Sequence, residues 1–206
     1  PQGWNSLPNK DQQRIVDEVA LELSQYFTYT MITWHEIVTW FGFKTVGVWP
    51  EEPSAFSWED IYSNLLGVRL GAQAISDKQH SYDAAMTILL KKELENLQIM
   101  SRDIARQAAE KMRGDWFNGF VLIDMKERNM DIGLDDGFVT PILVPGICET
   151  AVPQSYPIPT LDKLDAYEFV VDLEVEPREF EKAKILRLVY PNGGRKRISL
   201  AEHLPL

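Results

Sequence analysis

YFTYTMITWHEIVTWFGF, residues Tyr26–Phe43, is the stretch on which the fold of this chain turns. Between Glu22 and Lys44, Glu36 is the only permanently charged side chain and His35 the only imidazole. Phe27, Met31, Trp34, Val38 and Phe41 recur at steps of four and three, the spacing of one face of an α-helix. Thr28, Ile32, His35 and Thr39 form a second row, and Tyr29, Thr33, Glu36 and Trp40 a third. Large apolar residues in every row predict a helix buried nearly all round, with Gly42 as its stop. A carboxylate among such side chains must be paired, hydrogen-bonded or bound to a cation, because desolvation penalises it heavily. Glu36 therefore predicts a partner, either a catalytic or metal site or a satisfied core pair with His35.

Upstream, Asn9 is a candidate cap for a helix beginning near Lys10, with Val16, Val19, Ala20, Leu23 and Phe27 as its apolar stripe. The β-branched threonines at 28 and 30 allow a bend where this helix meets the central stretch. Downstream, Lys44–Phe56 is a connector with Pro50 and Pro53 around Glu51-Glu52. Ser57-Trp58-Glu59-Asp60 then has the form of a helix start, with Ser57 as cap and acids in the first turn. Trp58, Ile61, Leu65, Val68, Ala72 and Ile75 give the next helix its seam, and Asp60, Asn64, Gly67 and Gly71 a separate row. Glycines four apart allow another backbone to approach closely. The expected neighbour is the His35-Glu36 helix, which would bring Asp60 and Asn64 toward those residues.

Ser81–Arg113 is the longest helical run, with Leu90, Leu94, Leu97, Ile104 and Ala108 in its seam, an interruption at Ser101, and Gly114 at its end. Past Trp116 the pattern changes to short apolar runs between Gly, Pro and Asp clusters, which predict strands at 120–123, 138–139, 142–144, 167–175 and 185–190. Pro177–Ala183 fits a short helix. Pro191-Asn192-Gly193-Gly194 predicts a hairpin turn into Arg195–Ile198.

Composition sets the outer bounds. The 206 residues, 45% apolar with six tryptophans, suffice for a packed core. A net charge of −10 argues against a general nucleic-acid binder. The one cysteine, Cys148, excludes an internal disulfide and a cysteine-based zinc site, and its surroundings point to an inert thiol. Four threonines, a His and a Glu make Tyr26–Phe43 a poor membrane span. The start at Pro1-Gln2-Gly3-Trp4 suggests a processed or truncated product whose targeting signal lies elsewhere.

His35-Glu36 shares two residues with the H-E-x-x-H helix of zinc peptidases, but Thr39 stands where the second His is needed. A zinc or other divalent ion would have to be held by His35, Glu36 and a residue such as Glu59 or Asp60. The two side chains project about 100° apart on a helix. Alternatively, Glu36 is a buried, raised-pKa acid with Asp60 or Glu59 as its ionised partner. Asp131–Gly137 resembles a calcium loop only superficially: an EF-hand needs Gly sixth and Glu twelfth, where this chain has Asp136 and Ile142. It reads as an acidic turn. His80 and His203 are expected to be exposed, and Arg195-Lys196-Arg197 to be a charged strand edge.

In Ile32–Trp40 (ITWHEIVTW) together with Ser54–Gly67 (SAFSWEDIYSNLLG), the chain resembles a family of predicted exported bacterial lipoproteins that bears only a domain-of-unknown-function label. The resemblance is clear over about residues 26–75 and rests on the T-W-H-E and E-D-x-Y-S-N elements together. It implies a Gram-negative envelope setting on the periplasmic side, a further N-terminal part before Pro1, and no known activity.

The expected protein is thus α+β: a helical lobe, residues 1–114, packed with a mostly antiparallel β lobe, residues 115–206, as one continuous domain or a fragment of a longer chain. The expected function is that of an envelope protein with a hydrolase-like site. In that site Glu36, Asp60 and Asn64 are the catalytic set and His35, Glu36 and Glu59 the metal set. The rival is a non-enzymatic envelope interaction or structural module that meets a protein partner through the β lobe or the Trp49–Trp58 loop. Either way, the membrane is reached only through a lipid anchor outside this chain.

Overall fold

Helix α1 runs unbroken from Asn9 to Trp40. The computed structural model describes residues 3–42, 44–45, 49–119, 123–147, 150–176 and 182–199. Pro8, not Asn9, sits at the cap of α1, and its carbonyl accepts from the amides of Asp11 and Gln12 at 2.9 and 3.1 Å. The bend allowed at Thr28–Thr30 does not form, because the propensity penalty of threonine, a few tenths of a kcal/mol, is small beside the packing of a long helix. At the far end the Phe41 amide donates to Ile37 and Gly42 turns the chain with φ +90°, as its position indicates.

Burial is where α1 departs from expectation. Its buried residues are Ile15, Val19, Tyr29, Thr33, Glu36 and Thr39. The row of Met31, Trp34, Val38 and Phe41 lies outward, with Met31 70%, Trp34 55% and Phe41 83% exposed. In its C-terminal half α1 thus turns polar side chains inward and apolar ones outward. The inward row is the one that meets hydrogen-bonding loops, which can satisfy Tyr29 and Glu36.

Helix α2, Asp60–Ser76, lies between α1 and α3, Tyr82–Asn96, and packs on both. Ile61, Leu65 and Ala72 of its predicted seam are buried, and so are Leu70 and Ala74 outside it, whereas Ile75 is exposed. Ser57 does not cap α2 through its hydroxyl; its amide donates to the Asp60 carboxylate at 2.9 Å. Ser101 ends the long helical run by capping α4, Arg102–Met112, with its hydroxyl accepting from the Ile104 amide at 3.4 Å. Leu90, expected in the seam of α3, is exposed, and Ala85 is the residue buried there.

Tyr29, Ala55, Phe56, Ile61, Leu65, Val139 and Tyr156 form the main core, and Met112, Trp116, Phe117 and Met125 a second cluster under Trp58. Each fully buried Ile or Leu contributes about 1.5–3 kcal/mol by leaving water, which makes Ile61 and Leu65 the anchors of α2. The strands are two-residue ladders, all antiparallel among the described residues: β1 (Lys44–Thr45) with β2 (Trp49–Pro50), β3 (Phe117–Asn118) with β4 (Asp124–Met125), β5 (Phe138–Val139) with β6 (Tyr156–Pro157), and β7 (Glu174–Val175) with β8 (Ile198–Ser199). Long helices with small antiparallel sheets make the protein α+β.

Several predicted strands fail. Ile142–Val144 is irregular, and Ile142 and Val144 instead pack on the second cluster. Lys182–Val189 is a helix, α6, where a strand was expected over 185–190; Ile185, Leu186 and Val189 fit a helical period as well as a strand. The turn after Tyr190 therefore closes no hairpin, and β8 pairs with β7 across α6. Residues 120–122, Cys148 and His203 lie outside the described residues. Between Asp162 and Ala166 runs the short helix α5. By compactness Pro8–Lys163 is one unit, and the described residues of Pro1–Leu7 and Leu164–Leu206 another, in which Trp4 packs edge-on against Phe169 at 5.4 Å. The division falls at Lys163, beyond the change from long helices to short ladders at Gly114. Among the described residues no helix is long and apolar enough to cross a membrane.

Candidate functional site

Glu36 is 9% exposed, on the row of α1 that also buries Tyr29 and Thr33. Its Oε2 accepts from the backbone amide of Phe56 at 2.8 Å. Phe56 is itself buried and holds a left-handed backbone with φ +53°, which a bulky residue adopts only at a cost of about 1–2 kcal/mol. The next amide, that of Ser57, donates to the Asp60 carboxylate. Two consecutive N–H groups are therefore taken by two carboxylates from different helices, and the turn between connector and α2 is fixed from both sides.

The carbonyls of the same turn are taken as well. The Arg128 guanidinium donates to Ala55 and, at 3.1 Å, to Met125, and lies over the Trp40 ring at 4.6 Å. The Asn129 amide donates to Phe56 at 3.0 Å, while its buried side chain donates to the Thr140 carbonyl and accepts from the Asp131 amide. Asp131 then accepts from Gly133 and Thr140, so the acidic segment from Asp131 is an amide-filled turn. Gly133 is required in it: φ is +72°, and a Cβ there would come within 2.5 Å of Ile158 Cγ2. Tyr29 completes the set by donating to the Ile132 carbonyl at 3.1 Å.

Electrostatics follow from this burial. Desolvation raises the Glu36 pKa above the usual carboxylate range and Asp60 and Glu51 add to the rise, while the Phe56 amide and His35 oppose it. Burial pushes the Tyr29 phenol up to about 12. Glu59 is also raised by desolvation, against its own amide and the Ser57 side chain, yet the residue keeps an exposed side.

Of the residues expected to form a site, Glu36, Asp60 and, through the Ser57 side chain, Glu59 meet the Phe56–Ser57 turn, and His35 and Asn64 do not. The His35 side chain is 56% exposed, with Nε2 3.9 Å from Glu51 Oε2. Asn64 lies in a different place, a groove of about 350 Å³ between α1 and α2 lined by Leu21, Thr28, Ile32, Gly67, Val68 and Gly71 among others. That groove takes in neither His35, Glu36 nor Asp60. The glycine row does not draw α1 close: nothing lies within 4 Å of where a Cβ of Gly67 would be, and beside Gly71 stands the Tyr82 hydroxyl of α3. Among the described residues no three His, Cys, Asp or Glu gather to hold a metal ion, so His35, Glu36 and Glu59 are not assembled as ligands. Within the Trp49–Trp58 loop Ala55, Phe56 and Ser57 are buried, while Glu52 and Ser54 are exposed.

Phe56, Arg128 and Asn129 escaped the sequence reading. No side-chain pattern marks a backbone amide as the partner of a buried carboxylate, although the N-x-D-x-G spacing of Asn129, Asp131 and Gly133 is an available signal for successive side-chain-bonded turns.

The family model described as Protein of unknown function (DUF4056) matches residues 4–126, a span that holds Glu36, Phe56 and Asp60 and ends two residues before Arg128. No curated protein and no solved structure matches the chain.

Proposed function

The chain belongs to the DUF4056 family, and from that premise we propose that it serves as a non-enzymatic protein-interaction module of the bacterial cell envelope, on the periplasmic side. One observation carries this function: α1 turns Met31, Trp34, Val38 and Phe41 outward while Thr33, Glu36 and Thr39 face in. A contiguous apolar patch on an otherwise acidic chain has the character of a binding surface. Glu36 supports the same function from inside, because its carboxylate is committed to the Phe56 amide. The envelope setting is the one implied by the T-W-H-E and E-D-x-Y-S-N resemblance.

The experiment is site-specific photo-crosslinking in cells producing the full-length protein, with a benzophenone side chain at position 34 and, as control, at buried Leu65. Discrete protein adducts at 34 and none at 65 are expected. No protein adduct at 34, 38 or 41 would overturn the proposal.

A hydrolase-like activity is the second possibility, favoured by the raised pKa of Glu36 beside the Asp60 carboxylate. It requires that Glu36→Gln, which keeps an acceptor for the Phe56 amide, fold normally and abolish turnover of an ester or amide substrate that the native protein cleaves.

A further inference from the structure

The outward stripe of α1 is longer than its four most exposed members. On a regular helix Val16, Ala20, Leu23, Phe27, Met31, Trp34, Val38 and Phe41 fall along one line. They cover about 38 Å at 1.5 Å per residue. Val16 and Ala20 are exposed, and Leu23 and Phe27 are partly so. We propose that this stripe pairs α1 with the α1 of a second copy of the chain, antiparallel and about a two-fold axis near residues 28 and 29. The proposal rests on the interaction function above and names its partner.

Spacing, size, charge and area select that occupant. The steps along the stripe are 4, 3, 4, 4, 3, 4 and 3, and from the other end 3, 4, 3, 4, 4, 3 and 4, so in an antiparallel copy every member falls within one residue of a member of the partner's row. Val16 then stands opposite the partner's Phe41, Ala20 opposite the partner's Val38, Leu23 opposite the partner's Trp34 and Phe27 opposite the partner's Met31. Val16 and Leu23 thus meet the larger rings of the partner's Phe41 and the partner's Trp34, which favours interdigitation, whereas a parallel pair would set each tryptophan and phenylalanine against itself. A two-fold contact of this kind is closed and self-complementary.

The flanks of the stripe carry Gln13, Ser24, Thr30 and His35, with Asp17 as the single permanent charge, so two identical copies meet little like-charge repulsion. A lipid surface fits less well. Helices that lie on anionic membranes are rich in Lys and Arg, while α1 has only Lys10 and Arg14 against five acids. The exposed parts of the stripe amount to about 600 Å² by the usual sizes of such side chains, approaching the ~800 Å² that each partner gives to a standard interface.

Sedimentation velocity of the 206-residue chain at tens of micromolar should show a dimer. The double variant Trp34→Glu/Phe41→Glu, with unchanged circular dichroism, should dissociate about a hundredfold more readily, since two anchor side chains are lost. In a Cys148→Ser background, an oxidised equimolar mixture of Val16→Cys and Phe41→Cys chains should give mainly the mixed disulfide. A monomer at all concentrations, a dimer indifferent to the double substitution, or same-residue disulfides alone would overturn the proposal. Flotation of a monomer with phosphatidylglycerol/phosphatidylethanolamine vesicles, abolished by the same substitutions, would overturn it in favour of a membrane. If the chain is monomeric while position 34 still crosslinks to another protein in cells, the second copy is wrong and the interaction function stands; monomer and no adduct together end both.

Discussion

The two sides of α1 between Tyr29 and Phe41 have exchanged their usual contents. Inward lie Tyr29, Thr33, Glu36 and Thr39; outward lie Met31, Trp34, Val38 and Phe41. Hydrophobic transfer alone would rotate the helix the other way. Two inward polar contacts favour the observed rotation, Tyr29 on the Ile132 carbonyl and Glu36 on the Phe56 amide, and Ile37 packs on the main core beside them, whereas the buried Thr39 hydroxyl has no hydrogen-bond partner among the described residues. A row that makes hydrogen bonds can therefore be turned inward while an apolar row stays at the surface.

The sharpest way to break this comparison is to remove the carboxylate. Glu36→Ala leaves the buried Phe56 amide without its acceptor and opens a small void, and should lower unfolding stability by about 2–4 kcal/mol in urea titration. A loss below half a kcal/mol would mean that the inward row does not orient the helix. Phe56 gives a finer test. Both Phe56→Ala and Phe56→Gly lose the buried ring, but glycine tolerates φ +53°, so the glycine variant should be the more stable of the two by about 1 kcal/mol, the reverse of their usual order.

Acidity tests the same residue without deleting it. Because burial raises the folded pKa of Glu36 above its unfolded value, the folded state binds the proton more tightly. This contribution is complete below the unfolded pKa and is lost as pH rises through the folded one. Lowering pH from neutrality toward the unfolded carboxylate range should therefore stabilise the native chain relative to Glu36→Gln, with matched chemical denaturation at each pH as the measurement. The smallest effect belongs to the outward side: Met31→Lys should change the stability of the isolated chain by no more than about 0.5 kcal/mol, as a surface substitution does. A larger loss would place Met31 in the core and remove the contrast.

Much of the skeleton was legible beforehand. The 3.6-residue spacing located α1 and α2, Gly42 marked a stop, and the isolated charge at Glu36 announced a partner. Rotation of α1 was not legible, because all three rows carried large apolar residues and the inward choice was made by backbone groups of distant loops. The same limit explains the site. Asp60 holds the amide next to the one that Glu36 holds, but Asn64, one turn on, lines the α1–α2 groove, which Gly67 and Gly71 leave open. In the C-terminal part, short apolar runs fit two periods equally well, and α6 formed where a strand was read.

The Phe56 peptide is also a place where two distances along the chain meet. Its N–H is bound by a residue 20 positions earlier, and the adjoining Ala55 carbonyl by one 73 positions later. Closing a loop costs about 0.6 kcal/mol more for each doubling of its length, so the contact with Glu36 is the easier to make, and it sets the left-handed turn that presents the carbonyls of Ala55 and Phe56. The α1–α2 corner is in this sense a template onto which the 125–140 segment is expected to dock second, and mutations at Arg128 should then speed unfolding more than they slow folding, the reverse of mutations at Glu36.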